Sequence, residues 1–178
     1  MKKILCLMFA CMLALVFLSG SHVSALGINK IQGTEWLVST TVKFYTSGGD
    51  YDGAIAGGDG IMDIVDPATG FAIMEDAPLV DSTYGATDGS IGVIWIGDGS
   101  YKPTLNLLKA NSCLLAFDLL GDGPPNDVEY SGPCIATIVF SSAKAFTGSI
   151  VIDDIDGAGT RAVIKLKGKK LGQYPASP

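Results

Sequence analysis

A period of two between apolar and polar residues is the main structural signal in this chain. The segment from Trp36 to Thr46 alternates in this way, with Ser39, Thr41 and Lys43 on the polar side. Such alternation predicts a long strand with one face buried and the other in water. Similar runs follow, so that the chain has about eight strand candidates in all. The others are 61–66, 71–75, 91–97, 101–106, 134–141, 149–153 and 160–167.

Turn-forming residues separate several of these candidates. The segment from Pro67 to Gly70 has the composition of a tight hairpin turn, and so has Asp98-Gly99-Ser100, which would pair the candidates on either side of it. Asp156 to Gly159 joins the last two candidates. Antiparallel strands joined by short hairpins predict an all-β fold. We expect an eight-stranded up-and-down barrel, with a β-sandwich as the alternative.

One segment departs from the strand pattern. Asn111-Ser112 precedes an apolar run, and Gly121 follows that run. Polar residues before a helix and a glycine after it are typical caps. The sequence therefore predicts a short helix at 111–120, although a buried strand would show a similar apolar run.

The first 25 residues have the three-part pattern of a secretory signal peptide. Lys2 and Lys3 precede an apolar run of 15 residues at 4–18, and Val23-Ser24-Ala25 fits a peptidase site. An uncleaved anchor is the alternative, but a spanning helix needs about 20 apolar residues. The sequence predicts a signal peptide at 1–25 and a single β-barrel domain at 26–178. We expect a secreted or periplasmic protein with no membrane span after cleavage.

Cleavage would also remove the only histidine, His22. A domain without imidazole has no Ser-His or Cys-His pair and no histidine-ligated metal. Glycoside hydrolysis by paired carboxylates stays open. However, nothing in the sequence places two of Glu35, Glu75 and Glu129 at a working separation. We expect a non-catalytic protein.

The net charge limits the possible partners. The chain carries −6, and loss of Lys2 and Lys3 makes this −8. An acidic domain with one arginine, Arg161, argues against nucleic-acid binding, which needs clustered cations. Lys165 and Lys167 alternate with apolar residues near the end of the chain. This is typical of a solvated strand face, with a surface for an anionic partner as the alternative.

Two cysteines remain after cleavage, Cys113 and Cys134. An even pair in an exported protein predicts a disulfide. Closure of a loop of about 20 residues would stabilise the fold by roughly 3 kcal/mol.

Acidic residues raise calcium as the one candidate cofactor. Asp153, Asp154 and Asp156 form the densest carboxylate cluster of the chain, and oxygen-rich clusters suit a hard cation. A solvated turn that prevents edge-to-edge aggregation explains the same cluster. No other cofactor is predicted.

The segment Gly33-Thr34-Glu35-Trp36 resembles the Gly-x-Trp start of lipocalins and related calycin barrels, with one extra residue between glycine and tryptophan. In that family a late-strand arginine covers the tryptophan, so the resemblance implies this structural role for Arg161 against Trp36. It also implies an apolar pocket in a barrel of a size that either is filled by side chains or holds one small ligand. Trp36, Phe44 and Trp95 are the candidates for contacting such a ligand.

Two functions follow as hypotheses. One is a non-catalytic binding protein that carries a small apolar ligand in a lipocalin-like barrel. The other is a structural or envelope-interaction β module, with calcium as a candidate stabilising ion and a macromolecular partner that the sequence does not identify.

Overall fold

The computed structural model describes residues 24–81, 89–118 and 127–173, and within them the chain is almost entirely β-structure. Single 3-10 turns at Ile28–Lys30 and Pro103–Leu105 are the helical elements of this part of the chain. The strands are β1 (Thr34–Tyr45), β2 (Tyr51–Asp66), β3 (Phe71–Asp81), β4 (Gly89–Gly97), β5 (Ser100–Lys102), β6 (Leu107–Asp118), β7 (Asp127–Ser142), β8 (Ala145–Ile152) and β9 (Arg161–Gln173).

The strands close into a barrel. Each long strand pairs antiparallel with the next long one, β4 pairs directly with β6, and β9 returns to pair with β1. The three-residue β5 pairs with β6. The predicted eight-stranded up-and-down barrel is therefore confirmed, and the chain is not a β-sandwich.

The predicted helix at 111–120 is wrong. Residues 111–118 belong to β6, which pairs with β4 on one side and β7 on the other; residues 119–120 lie outside the described part of the chain. Leu115 is buried and Leu114 is 42% exposed, so the side chains alternate between the two faces as in a strand. The sequence does not show this alternation because the outward residue Leu114 is itself apolar. The expected cap, Asn111-Ser112, instead donates hydrogen bonds from its side chains to Asp98.

The turn at Pro67–Gly70 joins β2 to β3 as predicted, with Gly70 at a φ of 74°. The hairpin expected at Asp98-Gly99-Ser100 is wrong. Asp98 does turn the chain, at a φ of 57°, but β5 beyond it pairs with β6, where Tyr101 lies opposite Leu108.

Alternate residues of the strands fill the barrel interior. Trp36, Val38 and Val42 of β1 point inward and are at most 1% exposed. The largest inward side chains meet near the start of β1, where Trp36 stacks at tilted angles on Phe140, at 5.6 Å, and on Phe146, at 5.0 Å, between ring centroids. This aromatic cluster closes one end of the barrel, which we call the Trp36 end.

A glycine makes room for the aromatic cluster. Gly168 on β9 lies opposite Phe146, and a Cβ at this position would lie 2.1 Å from Cε1 of the phenyl ring. The ring therefore covers the backbone of β9, and no larger residue fits at position 168 without moving it.

A buried asparagine fastens the start of the described chain to the Trp36 end. Asn106 is 3% exposed and has a left-handed φ of 49°. Its Oδ1 accepts a 2.7 Å hydrogen bond from the backbone nitrogen of Leu26, and its Nδ2 donates to the carbonyl of Ser24 at 3.2 Å. Tyr101 adds a hydrogen bond to the carbonyl of Leu26.

The predicted signal peptide lies largely outside the described residues, which begin at Ser24. Among the described residues, no helix has the length and apolar character needed to cross a bilayer.

Candidate functional site

The aromatic side chains inside the barrel pack against one another and are not free to contact a ligand. Trp36 is fully buried, and its Nε1 donates a 2.7 Å hydrogen bond to Oγ1 of Thr34, which itself donates to the carbonyl of Ile31. Because its nitrogen already has a partner and its ring lies between two phenyl rings, Trp36 contributes to the core and not to a pocket. Phe44 is half-buried and packs against the same core nearer the other end of the barrel.

The third aromatic candidate lies outside the barrel. Ile94 and Ile96 of β4 are both 1% exposed, so Trp95 between them points outward. Its ring meets Phe71 on the outer wall at 5.5 Å between centroids. The expectation that Trp95 lines an interior cavity is therefore wrong.

The expected cover of Trp36 by Arg161 is also wrong. Arg161 begins β9 at the end of the barrel opposite the Trp36 end, where it pairs with Tyr45. Its side chain is 52% exposed and forms a 3.2 Å ion pair with Asp153. The basic residue in register with Trp36 is Lys170, whose Nζ donates to the carbonyl of Lys30 at 3.0 Å. Burial lowers the pKa of Lys170, with a smaller effect of the nearby Lys30.

The best-formed depression of the described surface lies on the outer wall of β7, β8 and β9. It is an open surface depression with a volume of about 380 Å³. Its polar groups are three hydroxyls and two ammonium groups, and Gly148 and Leu166 line its floor. We call it the lysine hollow. Its lining residues are Thr137, Val139, Thr147, Gly148, Ser149, Lys165, Leu166 and Lys167.

Strand register creates the lysine hollow. Thr137 of β7 lies opposite Ser149 of β8, which lies opposite Lys165 of β9. The next outward row places Thr147 opposite Lys167. Side chains that are far apart in sequence thus form two adjacent polar rows on one wall.

The hollow is electrostatically uncompensated within the described residues. No carboxylate lines it, and neither Lys165 nor Lys167 forms an ion pair with another described residue. Both lysines are exposed. In a chain with a net charge of −6, this is a local cationic surface with hydroxyl donors beside it.

The carboxylates of the predicted calcium cluster are engaged within their own loop. Asp153 pairs with Arg161, Asp154 accepts from the amide of Gly159 at 2.8 Å, and Asp156 accepts from two loop amides. The hydroxyl of Thr160, followed by the amides of Ala158 and Thr160, lowers the pKa of Asp156 to about 2. No group of three or more candidate ligands in the described part of the chain is placed to hold a metal ion. Calcium binding stays a prediction.

The two cysteines are brought together. Cys113 and Cys134 are both buried, and their sulfurs lie in hydrogen-bonding contact across β6 and β7. This proximity is compatible with the predicted disulfide, which itself stays a prediction.

Hydrogen bonding distinguishes the two thiols. The pKa of Cys113 is raised because its thiol donates to the sulfur of Cys134, with burial adding to the effect. The pKa of Cys134 is lowered by that same hydrogen bond and by the amide of Ala136, against an opposing effect of burial. The hydrogen bond therefore favours the thiolate form of Cys134.

A side pocket of about 200 Å³ reaches Cys134. It opens between the first part of β7 and the loop after β8, and Tyr130 stands at its edge with its hydroxyl donating to the carbonyl of Pro133. We call it the thiol pocket. Its lining residues are Tyr130, Pro133, Cys134, Ile135, Val151, Asp153 and Asp154.

The hollow and the thiol pocket were not predicted as sites, although the sequence contained part of the signal. Alternation marked Lys165 and Lys167 as outward, and an anionic partner was the alternative explanation for them. The hydroxyls contributed by β7 and β8 could not be added without the register of three strands.

Comparison with known proteins gives little further information. No family model matches the sequence, and no curated protein matches it. Among solved structures, the chain is similar to the vaccine antigen transferrin binding protein B from Haemophilus parasuis, with 8% sequence identity and a TM-score of 0.37. The match covers 82% of this chain and 28% of that one, so this chain spans less than a third of the protein it matches.

Proposed function

We propose that this protein is an exported, non-catalytic binding protein that holds an anionic ligand in the lysine hollow. The observation that carries the proposal is the lining of the hollow, which includes Lys165, Lys167 and three hydroxyl-bearing residues and no carboxylate. Ammonium and hydroxyl groups together suit a carboxylate, sulfate or phosphate ester that bears further polar groups.

The outer wall is a better candidate than the interior. A carrier for an apolar ligand needs empty volume inside the barrel, but the Trp36 end is occupied by packed aromatic rings. Trp36 and Phe140 are at most 1% exposed. A small apolar ligand would have to displace these contacts, which in a well-packed core is costly.

The unpaired lysines also favour binding over stability as their role. An exposed lysine contributes little to the stability of the fold. A strand face that only had to stay solvated would not need three hydroxyl-bearing residues beside the two lysines. The outer wall at the hollow is exposed, so a large ligand such as a polysaccharide chain could reach it. We take export from the signal-peptide pattern at 1–25.

A titration with dextran sulfate, with neutral dextran as the uncharged reference, tests the proposal. We expect the double variant Lys165→Gln/Lys167→Gln to bind dextran sulfate about tenfold more weakly than the wild type, since two exposed ionic contacts contribute about 0.5–1 kcal/mol each. The affinity of the wild type should fall as salt is added. Neutral dextran should not bind detectably.

The matched control is Lys30→Gln/Lys102→Gln. These exposed lysines lie on the 3-10 turn Ile28–Lys30 and on β5, neither pairs with a residue that lines the hollow, and their removal changes the net charge by the same amount. A third variant, Thr147→Val, keeps the charge and approximate shape but removes one hydroxyl, and we expect a loss of about threefold. Equal losses in the two lysine variants would show nonspecific attraction and would overturn the proposed site.

A further inference from the structure

We propose that Cys113 and Cys134 form a thiol–disulfide exchange site, in which Cys134 reacts with small disulfides that enter the thiol pocket and Cys113 completes the exchange. A structural disulfide would need only that the two sulfurs be close. The arrangement around this pair supplies two further features, a pocket that is lined by one of the two cysteines and a difference between the two thiols.

The route exists because β7 extends beyond its partner. Strand β8 pairs with β7 from Ile135 onward, so that on this side the preceding part of β7 is next to the loop after β8 instead of a strand. The thiol pocket occupies this gap, and Cys134 is among its lining residues. Cys134 is 7% exposed, whereas Cys113 is 2% exposed and does not line the pocket.

The difference between the thiols matches the route. Cys134, the cysteine that lines the pocket, accepts a hydrogen bond from Cys113 and has the lowered pKa. The thiolate is the nucleophile in disulfide exchange. The position of the pocket and the hydrogen bonding of the thiols therefore both favour Cys134 as the nucleophile.

The exchange balances in two steps. The Cys134 thiolate attacks one sulfur of an incoming disulfide RS–SR; a bond forms between Cys134 and RS, the S–S bond breaks, and RS⁻ leaves. The Cys113 thiol then loses its proton to solvent and attacks the Cys134 sulfur, which expels the second RS⁻. The protein is oxidised by two electrons to the Cys113–Cys134 disulfide, and RS–SR is reduced to two thiols. In reverse, a small thiol reduces the pair by attacking Cys134.

Charge at the pocket mouth selects among small disulfides. Two carboxylates, Asp153 and Asp154, line the mouth, and Asp153 alone of these has a cationic partner, Arg161. The mouth thus has a net negative charge, which attracts a cationic disulfide and repels an anionic one. We expect cystamine to oxidise the reduced protein at least about threefold faster than oxidised glutathione does, with the difference shrinking in high salt.

The first test uses the wild-type protein. The reduced protein is treated with less than one equivalent of an alkylating reagent, and peptide mapping identifies the labelled cysteine. Mapping separates Cys113 and Cys134 from Cys6 and Cys11 of the predicted signal peptide. We expect the label on Cys134 in large excess over Cys113. Labelling of both at equal rates, or of Cys113 first, would overturn the proposal.

The second test traps the intermediate. Cys113→Ser exposed to cystamine should accumulate a mixed disulfide on Cys134, because the completing thiol is missing, whereas Cys134→Ser should give no stable adduct on Cys113. Asp154→Asn should reduce the preference for cystamine over oxidised glutathione. Circular dichroism and thermal melting establish that each variant is folded, and the wild-type labelling decides the question for any variant that is not.

A purely structural pair would give different results. Its disulfide would resist reduction by millimolar thiols until the protein unfolds, and neither single variant would form an adduct while folded. The thiol pocket shares no lining residue with the lysine hollow, so the outcome does not affect the proposal for the hollow, and failure of that proposal leaves this one intact.

Discussion

The two faces of β8 and β9 differ in what determines their residues. Toward the interior, Phe146 and Ile164 are at most 2% exposed, and their shapes must fit their neighbours. Toward solvent, Thr147 and Lys165 touch the lysine hollow and are exposed. The same strands therefore carry stability on one face and candidate recognition on the other. Substitutions on the inner face should change the free energy of unfolding, and those in the hollow should change binding.

The largest expected effect lies in the aromatic cluster. Trp36→Ala would remove a fully buried indole that packs on Phe140 and Phe146, so we expect the free energy of unfolding to fall by about 3–5 kcal/mol. Urea denaturation measures it. Trp95→Ala on the outer wall is the control, with an expected loss of about 1 kcal/mol because Trp95 is already partly in solvent. Equal losses in the two variants would contradict the assignment of Trp36 to the barrel interior and Trp95 to its outer face.

A smaller loss should follow from adding a single methyl group at Gly168. In Gly168→Ala the new Cβ would lie within 2.1 Å of the Phe146 ring, and displacement of that ring would disturb its contact with Trp36. We expect a loss of about 2–3 kcal/mol, as for overpacking of a core. Gly172→Ala on the same strand has no atom within 4 Å of its new Cβ and should change stability by less than about 0.5 kcal/mol.

A double-mutant cycle would test the cause of the Gly168 effect. Phe146→Leu removes the ring that blocks the new Cβ, so the double variant Gly168→Ala/Phe146→Leu should lose less stability than the sum of the two single losses. Simple additivity would show that the destabilisation at Gly168 has another origin.

The period of two in the sequence was enough to predict the barrel and the inner face of β1, because alternation directly encodes which side chains point inward. It failed in β6, since Leu114 is apolar yet outward and the alternation disappears there. It also could not predict register. The expected partner of Trp36 was Arg161, but β9 runs far enough along β1 to bring Lys170 to that position.

Register also explains why the sites themselves were missed. The lysine hollow needs the alignment of β7, β8 and β9. The two cysteines were predicted as a pair, but the thiol pocket beside them depends on the part of β7 that precedes its pairing with β8 at Ile135, and the sequence does not show where that pairing begins. Composition indicated which chemical groups were available, and only the pairing of strands showed which of them meet.

The next prediction asks whether a buried polar residue, Asn106, contributes to stability as the inward apolar residues do. Asn106→Ala would leave the amide of Leu26 without its acceptor and would place a Cβ-bearing residue without a polar side chain at a φ of 49°. We expect a loss of about 1–2 kcal/mol. Asn106→Gly relieves the backbone strain but not the missing hydrogen bond, so it should lose less than Asn106→Ala. Exposed Asn111→Ala should have little effect, and a loss equal to that of Asn106→Ala would contradict the assignment.

The smallest effect concerns a residue that belongs to neither face. Asp156 is fully exposed in the loop between β8 and β9, and the hydroxyl of Thr160 followed by loop amides lowers its pKa from 3.8 to about 2. The folded loop therefore favours the carboxylate form of Asp156. The stabilising effect of these hydrogen bonds is complete above about pH 4 and is lost as the pH falls toward 2.

Carboxyl chemical shifts followed by NMR from pH 5 to pH 1.5 would measure the pKa of Asp156. Thr160→Val removes the largest cause, so it should move the pKa of Asp156 back toward 3.8 and should lower the stability at pH 7, where the interaction is fully present. The affinity of the lysine hollow for dextran sulfate should stay unchanged. An unchanged pKa in this variant would mean that the loop amides, and not the Thr160 hydroxyl, hold the carboxylate.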